Sequence, residues 1–166
     1  MKDPHTIRCA AELACLLEAS AEKPGNVTPL QHFKDMRYED FLRSAVAIGP
    51  EMALAGQRGV GATILASVRA TRRWVHPNTN LGIVLLLAPL ARAASLNFGV
   101  SDFDPSENPS ADGLRACIGQ VLRALTVEDA RAAYEAIRRA TPGGLADSAE
   151  GHDVRTDVPD ITLREA

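Results

Sequence analysis

The feature that most restricts the fold of this chain is the apolar run from Leu81 to Ala91 (LGIVLLLAPLA), which carries no charged residue. The run is too short to cross the roughly 30 Å of hydrocarbon in a bilayer, so it does not indicate a membrane span. A helix that is apolar nearly all round is normally covered by neighbours on every side. The run therefore predicts a buried helix that other elements must surround.

The composition indicates that those other elements are helices as well. Ala and Leu dominate the apolar residues, and aromatic residues make up only 4% of the chain, which favours helices over strands. A chain of 166 residues can bury one substantial core. We predict an all-α, single-domain multi-helix bundle over residues 1–166, with at least five helices and no sheet beyond an incidental pair of short strands.

Capping residues and breakers divide the first half of the chain into segments. Asp3 and Pro4 signal the start of a helix, and Pro24-Gly25 signals its stop. A second helix is expected to begin near Arg37 and to end or kink at Gly49-Pro50, because proline lacks the amide donor. The first helix is expected to bury the stripe Ile7, Ala10, Ala14, Leu17 and Ala21, and a third segment carries Val60, Ile64, Val68 and Val75.

The second half continues this pattern after a long polar loop at 97–109. Ser110 is expected to open a helix, Thr126 and Asp129 resemble a capping box for the next one, and 161–166 has the pattern of a further first turn. The apolar residues expected to line the core are Leu17, Phe41, Ile48, Leu85, Leu86, Ile118, Leu122 and Ile137.

Charge and cysteine content exclude some classes of protein. A formal net charge of -3 at pH 7 argues against a general nucleic-acid binder, which needs a basic face. Cys9, Cys15 and Cys117 lack metal-ligand spacing and give no disulfide framework, and no signal peptide is evident. These features predict a protein of the reducing cytoplasm with no membrane and no nucleic-acid partner.

Three polar loops are candidates for chemistry. In the first, Glu18 to Asp35, Lys23 offers a charge for phosphate, Gly25 permits close approach of a ligand, and Asn26 can donate and accept hydrogen bonds. Lysine-proline-glycine is also an ordinary helix terminator, so both interpretations stay open.

The second loop is Asn78-Thr79-Asn80, at the start of the apolar helix, where free N–H groups and the helix dipole favour anions. Simple capping is the alternative. The third loop, Gly143 to Asp157, offers oxygen ligands for Mg²⁺, among them Asp153, with an exposed acidic loop as the alternative.

Two stretches in the N-terminal part of the chain match a family signature. The first runs from Glu18 through Lys23-Pro24-Gly25 to Val27. The second combines Lys34-Asp35-Met36 with Glu39-Asp40-Phe41 and Arg43-Ser44-Ala45. Further along, Asn78-Thr79 with Gly82 leads into an apolar helix, and Gly143-Gly144 precedes Ser148-Ala149-Glu150-Gly151. Together these motifs resemble the triphosphoribosyl-dephospho-CoA synthase family.

The resemblance implies an enzyme in which the 2'-hydroxyl of dephospho-CoA attacks the ribose anomeric carbon of ATP and adenine leaves. It implies ATP and dephospho-CoA as substrates and Mg²⁺ on the triphosphate. The residues matched to phosphate or cofactor binding are Lys23, Gly25, Asn26, Lys34, Asn78, Thr79 and Asn80. Candidate catalytic residues are Glu18, Asp35 and Glu150, and candidate metal ligands are Asp35 and Asp153. We expect Lys23, Asn26, Asp35, Asn78 and Thr79 to converge on one cleft.

The chain also departs from the family pattern, for example at Asn26, where leucine is usual. Family members are longer, so we expect this chain to correspond to their N-terminal portion and to be incomplete at the C-terminus. Some of Ile83, Val84, Leu87 or Leu90 should then be exposed, and homo-oligomers could form. Asn80 and Leu81 stand where citrate- and malonate-pathway members carry histidine and lysine. Two alternatives follow: an ATP-dependent transferase acting on another phosphorylated cofactor precursor, or a non-catalytic helical fragment or binding subunit.

Overall fold

A computed structural model describes residues 3–96, 111–143 and 153–165 of the chain. Over these ranges extended pairing is limited to two isolated bridges, Thr28 with Gln31 and Phe33 with Met36. The predicted all-α class is therefore confirmed. The helices are α1 (Pro4–Ser20), α2 (Tyr38–Ala53), α3 (Val60–Arg72), α4 (Leu81–Ser95), α5 (Ala111–Arg123) and α6 (Val127–Ala140).

Helix α1 begins as its sequence indicates but buries a different face from the one predicted. The carboxylate of Asp3 accepts a hydrogen bond from the Thr6 amide at 3.1 Å, which confirms the cap. The predicted stripe is wrong beyond Ile7, because Leu17 is 62% exposed. The side chains that α1 buries are Ile7, Ala11, Cys15 and Ala19, at successive i+4 positions.

Helix α2 does not end at Gly49-Pro50, which was one of the two outcomes predicted there, and continues to Ala53. Pro50 is exposed, so its ring faces away from the neighbouring helices. Gly49 is buried, and a Cβ atom there would collide with the Glu12 side chain of α1. The glycine thus allows close contact between two helices and does not terminate α2.

Hydrogen bonds from three side chains fix the direction of the helices that follow. Arg58, in the turn after α2, bonds to Glu51 at 2.7 Å and to Thr63 at 3.3 Å. At the other end, the Asn80 side chain joins Thr71 late in α3 to Ser44 early in α2. Helices α2 and α3 are therefore antiparallel. Helix α4 begins at the end of the bundle where Asn80 lies. It runs towards the α2–α3 turn, since Arg92 donates to the carbonyls of that turn.

The predicted core was partly correct. Ile48 is fully buried, whereas Leu86 is 68% exposed and Leu122 is also exposed. Phe41, Leu85, Ile118 and Ile137 are half-buried. The largest fully buried side chains include Ile48, Met52, Ile64, Val27 and Val84.

Helix α4 is therefore not covered all round. Val84 and Ala88 face its neighbours, while Leu86 and Leu90, four residues apart, are exposed on another face. The expected exposure is confirmed at Leu90, whereas Val84 is wholly buried and Ile83 is half-buried. None of the helices within the described residues is long and apolar enough to cross a bilayer.

The last described segments complete the bundle. Thr126 and Asp129 form the predicted capping box at the start of α6. The segment from 153 onward lies along α6, since Arg138 donates to the Val154 carbonyl and Arg131 to that of Pro159. Thr162 and Glu165 make a hydrogen-bonded turn, in agreement with the predicted first turn, and within the described residues this turn does not extend into a helix. The predicted loop at 97–109 lies outside the described residues.

Candidate active site

A pair of hydroxyl groups joins the start of α2 to the loop before α4. The Oγ atom of Ser44 lies 2.5 Å from Oγ1 of Thr79. Ser44 donates its own proton to the Asp40 carbonyl at 2.6 Å, so the Thr79 hydroxyl is the donor in the shared bond. The 78–80 loop is thereby held against the second turn of α2.

The two asparagines of this loop have structural partners. Oδ1 of Asn78 accepts a hydrogen bond from the Leu81 amide at 3.1 Å, which is the capping role considered for it. The buried Asn80 donates to Oγ1 of Thr71 at 3.0 Å. Asn80 thus anchors the loop to α3, and its side chain lies among protein atoms.

The N-terminal loop meets the same end of α2. The Ser20 hydroxyl at the end of α1 lies 2.8 Å from the Tyr38 hydroxyl, and the Tyr38 amide points at Nδ1 of His32 at a long 3.5 Å. Within the loop, Val27 and Thr28 are buried and act as anchors. Gly25 has φ of 78°, a left-handed conformation that favours glycine, so this position in the motif is required by the turn itself.

The charged residues of this loop remain near its surface. Nζ of Lys23 pairs with Oε1 of Glu18 at 2.5 Å, and both side chains are 45% exposed. Lys34 and Asp35 are exposed, and Asn26 is half-buried. Among the described residues no side chain pairs with Lys34 or Asp35, so both are free to meet a ligand.

These contacts gather several chain segments at one end of the bundle, which we call the polar end. It is formed by Ser20, Tyr38, Ser44, Thr71 and 78–80. Helices α2 and α4 begin here and α1 and α3 end here, so the positive ends of two helix dipoles and the negative ends of two others lie at this end. Both polar loops thus adjoin the first two turns of α2. The direct approach of Lys23 to Thr79 in one cleft stays a prediction.

The third polar loop contributes less. Glu150 lies outside the described residues. Asp153 accepts hydrogen bonds from the backbone amide and guanidinium of Arg155, which hold the pKa of its carboxyl below the usual value. Within the part of the chain that the structure describes, no three His, Cys, Asp or Glu side chains group as a metal site. Of the two predicted Mg²⁺ ligands, the unpaired Asp35 suits a metal better than the arginine-bound Asp153.

Sequence reasoning missed Ser44 and Thr71 as parts of this site. Both are polar residues on buried helix faces, and Thr71 continues a buried series with Thr63 and Ser67 at i+4 spacing. Polar residues that recur on an otherwise apolar face were the available signal. Their partners, however, lie in other segments and become apparent only in the packed bundle.

Comparison with known families identifies the family of this chain. The family model CitG, ATP:dephospho-CoA triphosphoribosyl transferase, matches residues 4–166. The chain belongs to this family. The family is one of transferases. The first two polar loops and the C-terminal segment all lie inside the matched range. The search of the curated proteins found no match, and the search of the solved structures found none either.

For a triphosphoribosyl transferase the polar end has suitable features. Its substrates are nucleotides with several phosphates, and helix N-termini with free N–H groups favour phosphate binding. Lys23, Lys34 and Arg37 are exposed in the segment that precedes α2, whose first turn carries the carboxylates of Glu39 and Asp40. The polar end is therefore the candidate site of this chain.

Proposed function

We propose that this chain transfers the triphosphoribosyl group of ATP to the 2'-hydroxyl of dephospho-CoA, with both substrates bound at the polar end. The hydrogen bond between Ser44 and Thr79 is the observation that carries the proposal. It fixes the starts of α2 and α4 side by side, so that the positive ends of two helix dipoles can act on phosphates at fixed geometry.

The chemistry sets the requirements for the site. The acceptor oxygen forms a bond to the anomeric carbon of ATP while the bond from that carbon to adenine breaks. The proton of the 2'-hydroxyl is lost and adenine takes up a proton as it leaves. Positive charge builds on the sugar and negative charge on the base, so a carboxylate near the sugar and a proton donor near adenine would lower the barrier.

The roles proposed from the sequence can be refined by these contacts. Lys23 is a phosphate ligand whose resting partner is Glu18, so phosphate binding would exchange one anion for another and release the Glu18 carboxylate. The released carboxylate is then available to stabilise the positive charge on the sugar or to accept the proton of the 2'-hydroxyl. Glu150 remains the other proposed acid–base residue, and Gly25 and Asn26 shape the turn beside Lys23.

Mg²⁺ would neutralise charge on the triphosphate when bound. Asp35 is the proposed protein ligand, because Mg²⁺ in nucleotide sites uses one or two carboxylates and takes its other ligands from phosphates and water. Asp153 is a weaker proposal, since Arg155 already occupies its carboxylate. Asp35 would thus hold the metal ion and orient the triphosphate. Its other proposed role is that of the carboxylate near the sugar.

Release of adenine from ATP is the test of this function. The purified chain is incubated with ATP, Mg²⁺ and dephospho-CoA, and adenine and the coupled product are measured by chromatography and mass spectrometry. Adenine release that requires dephospho-CoA supports the proposal. Lys23→Gln should raise the KM for ATP roughly tenfold or more, because a charge-assisted bond to phosphate is lost. Arg69→Gln is the matched control, since Arg69 forms an exposed ion pair with Glu135.

Failure of both substrates to give adenine, with ATP binding absent by calorimetry, contradicts the proposal and favours the non-catalytic alternative.

The second enzyme alternative has its own supporting observation. Leu81 is buried, so this chain has an apolar contact where citrate- and malonate-pathway members carry a lysine. Adenine release that is faster with another phosphorylated alcohol than with dephospho-CoA would favour that alternative.

A further inference from the structure

The chain contains a single tryptophan, and it is unusually exposed. Trp74 follows the last residue of α3 by two positions, and 70% of its surface is accessible. An exposed indole gives up the burial energy that large aromatic side chains normally contribute. The residue after it, Val75, is buried, so the backbone at this point is anchored while the indole faces solvent.

The backbone of Trp74 is held in a defined position relative to the polar end. Its amide donates to the Thr71 carbonyl at 2.9 Å, and the Val75 amide donates to the same oxygen at 3.0 Å. Val75 continues the buried face of α3 that carries Thr71, four positions earlier, whereas Trp74 lies beside that face and is exposed. Thr71 binds Asn80, which places Trp74 about one turn beyond the attachment of the 78–80 loop.

The surroundings of Trp74 carry positive charge. Arg72 donates to the His76 carbonyl, which ties the turn across Trp74, and Arg73 and His76 are exposed beside it. Within the described residues no carboxylate pairs with Arg73. An exposed aromatic ring flanked by arginines matches a nucleotide, in which an uncharged base is joined to phosphates.

We propose that Trp74 is a stacking platform for the adenine ring of a nucleotide substrate. This inference rests on the proposed function, in which both ATP and dephospho-CoA carry adenine. Phosphate ligands alone cannot recognise a base, and an uncharged purine is bound largely through stacking on aromatic faces. Trp74 would supply that recognition, while the helix starts and basic residues of the polar end bind phosphates.

The single tryptophan is also its own probe, because intrinsic indole fluorescence of the whole chain comes from Trp74 alone. Titration with ATP and, separately, with dephospho-CoA should quench this fluorescence to saturation for at least one of them. Tripolyphosphate should cause no comparable quench, since it has phosphates and no base. Free N-acetyltryptophanamide corrects for absorption by adenine. The substrate whose titration saturates is the one whose adenine stacks on Trp74.

Kinetics provide the second readout. Trp74→Leu should raise the KM of the substrate that stacks by roughly 5- to 150-fold, the equivalent of about 1–3 kcal/mol of base stacking. The kcat should change less than about twofold, because adenine stacking without direct chemistry acts mainly on binding. Trp74→Phe, which keeps an aromatic ring, should retain most of the wild-type affinity for that substrate. Leu54→Ala, which trims another exposed apolar side chain at the opposite end of α2, is the matched control.

Three results would overturn the proposal. Unchanged KM values for both substrates in Trp74→Leu would exclude a role in binding, as would equal quenching by tripolyphosphate and ATP. Fluorescence that depends on protein concentration and not on nucleotide would assign Trp74 to a contact between copies of the chain. If the wild-type chain releases adenine in any of these cases, the proposed function stands without the platform. If adenine release fails while ATP still quenches, the platform stands and the reaction assignment fails.

Discussion

The hydroxyls of Ser44 and Thr79 lie 2.5 Å apart although 35 positions separate them in the sequence. Their bond joins a helix interior to a loop, and it connects two elements that each begin at the polar end. Because Ser44 already donates to Asp40, the bond depends on the Thr79 hydroxyl as donor.

Removing that donor should destabilise the protein and loosen the loop. Thr79→Val keeps the shape of the side chain but leaves the buried Ser44 oxygen without its donor, which should lower the free energy of unfolding by about 1–2 kcal/mol. Urea unfolding measures the change. Thr79→Ser, which retains the hydroxyl, should lie within about 0.5 kcal/mol of the wild-type value. Equal stability of the valine and serine variants would show that the bond contributes nothing.

Gly61 sets the distance between α3 and α6. A Cβ atom at this position would collide with the backbone of Asp129, and the Gly61 amide donates to Oδ1 of Asp129 at 2.7 Å. Gly61→Ala should therefore separate the two helices and lower the free energy of unfolding by roughly 1–3 kcal/mol or more. Thermal and urea unfolding measure the loss. A gain in stability, as helix propensity alone predicts, would contradict the close contact.

Gly82 provides the opposite case and also tests the site. It lies exposed in the first turn of α4, and a Cβ atom there would meet nothing within 4 Å. Gly82→Ala should raise the free energy of unfolding by about 0.5–1 kcal/mol, because alanine favours the helix. If phosphate packs against this helix start, the same variant should raise the KM for a substrate. Increased stability with unchanged KM would place the phosphates elsewhere.

The cysteines should differ in reactivity. Burial raises the pKa of the Cys15 thiol to about 11, and the nearby Glu18 carboxylate acts in the same direction, whereas Cys9 is exposed on the other side of α1. Because the thiolate is the reactive form, a thiol reagent at about pH 8 should label Cys9 quickly and Cys15 only after unfolding. Mass spectrometry of the labelled peptides identifies the site. Rapid native labelling of Cys15 would contradict its burial.

The same shift has a consequence for stability at high pH. The folded-state pKa of Cys15 exceeds the ordinary value of 9.0, so the folded state binds its proton more tightly than the unfolded chain does. The stabilising contribution is fully present below about pH 9 and is lost as the pH rises towards about 11. Urea midpoints measured across this interval should fall less steeply for Cys15→Ala than for the wild-type chain. Parallel slopes would contradict the shift.

Parts of the fold could be predicted because their causes lie within a few residues. The Asp3 cap and the Thr126–Asp129 capping box are bonds between residues three apart, so the sequence contains both partners. Membership of the helical class also follows from composition, since Ala and Leu favour helices regardless of what surrounds them. Lys23 and Glu18 form a local pair that the sequence placed in one loop, although it did not indicate their contact.

The buried face of α1 could not be predicted in the same way. The helix contains alanine, leucine and cysteine around much of its circumference, so several apolar stripes compete. The sequence favoured the stripe that includes Leu17, whereas packing against α2 selected Ala11, Cys15 and Ala19. Small residues allow the closest approach of the two helices, and that gain is available only once the partner helix is present.

The sequence by itself determined the helices, their caps, the polar loops and the resemblance to a family, because these depend on local bonds, periodicity and motif spacing. Only the tertiary structure decided which faces are buried and that Ser44, Thr71 and Thr79 meet at one end. The physical reason is that such contacts require helices to pack in one specific arrangement. The free energy of that packing is shared among many weak contacts between distant segments, and no single segment contains it.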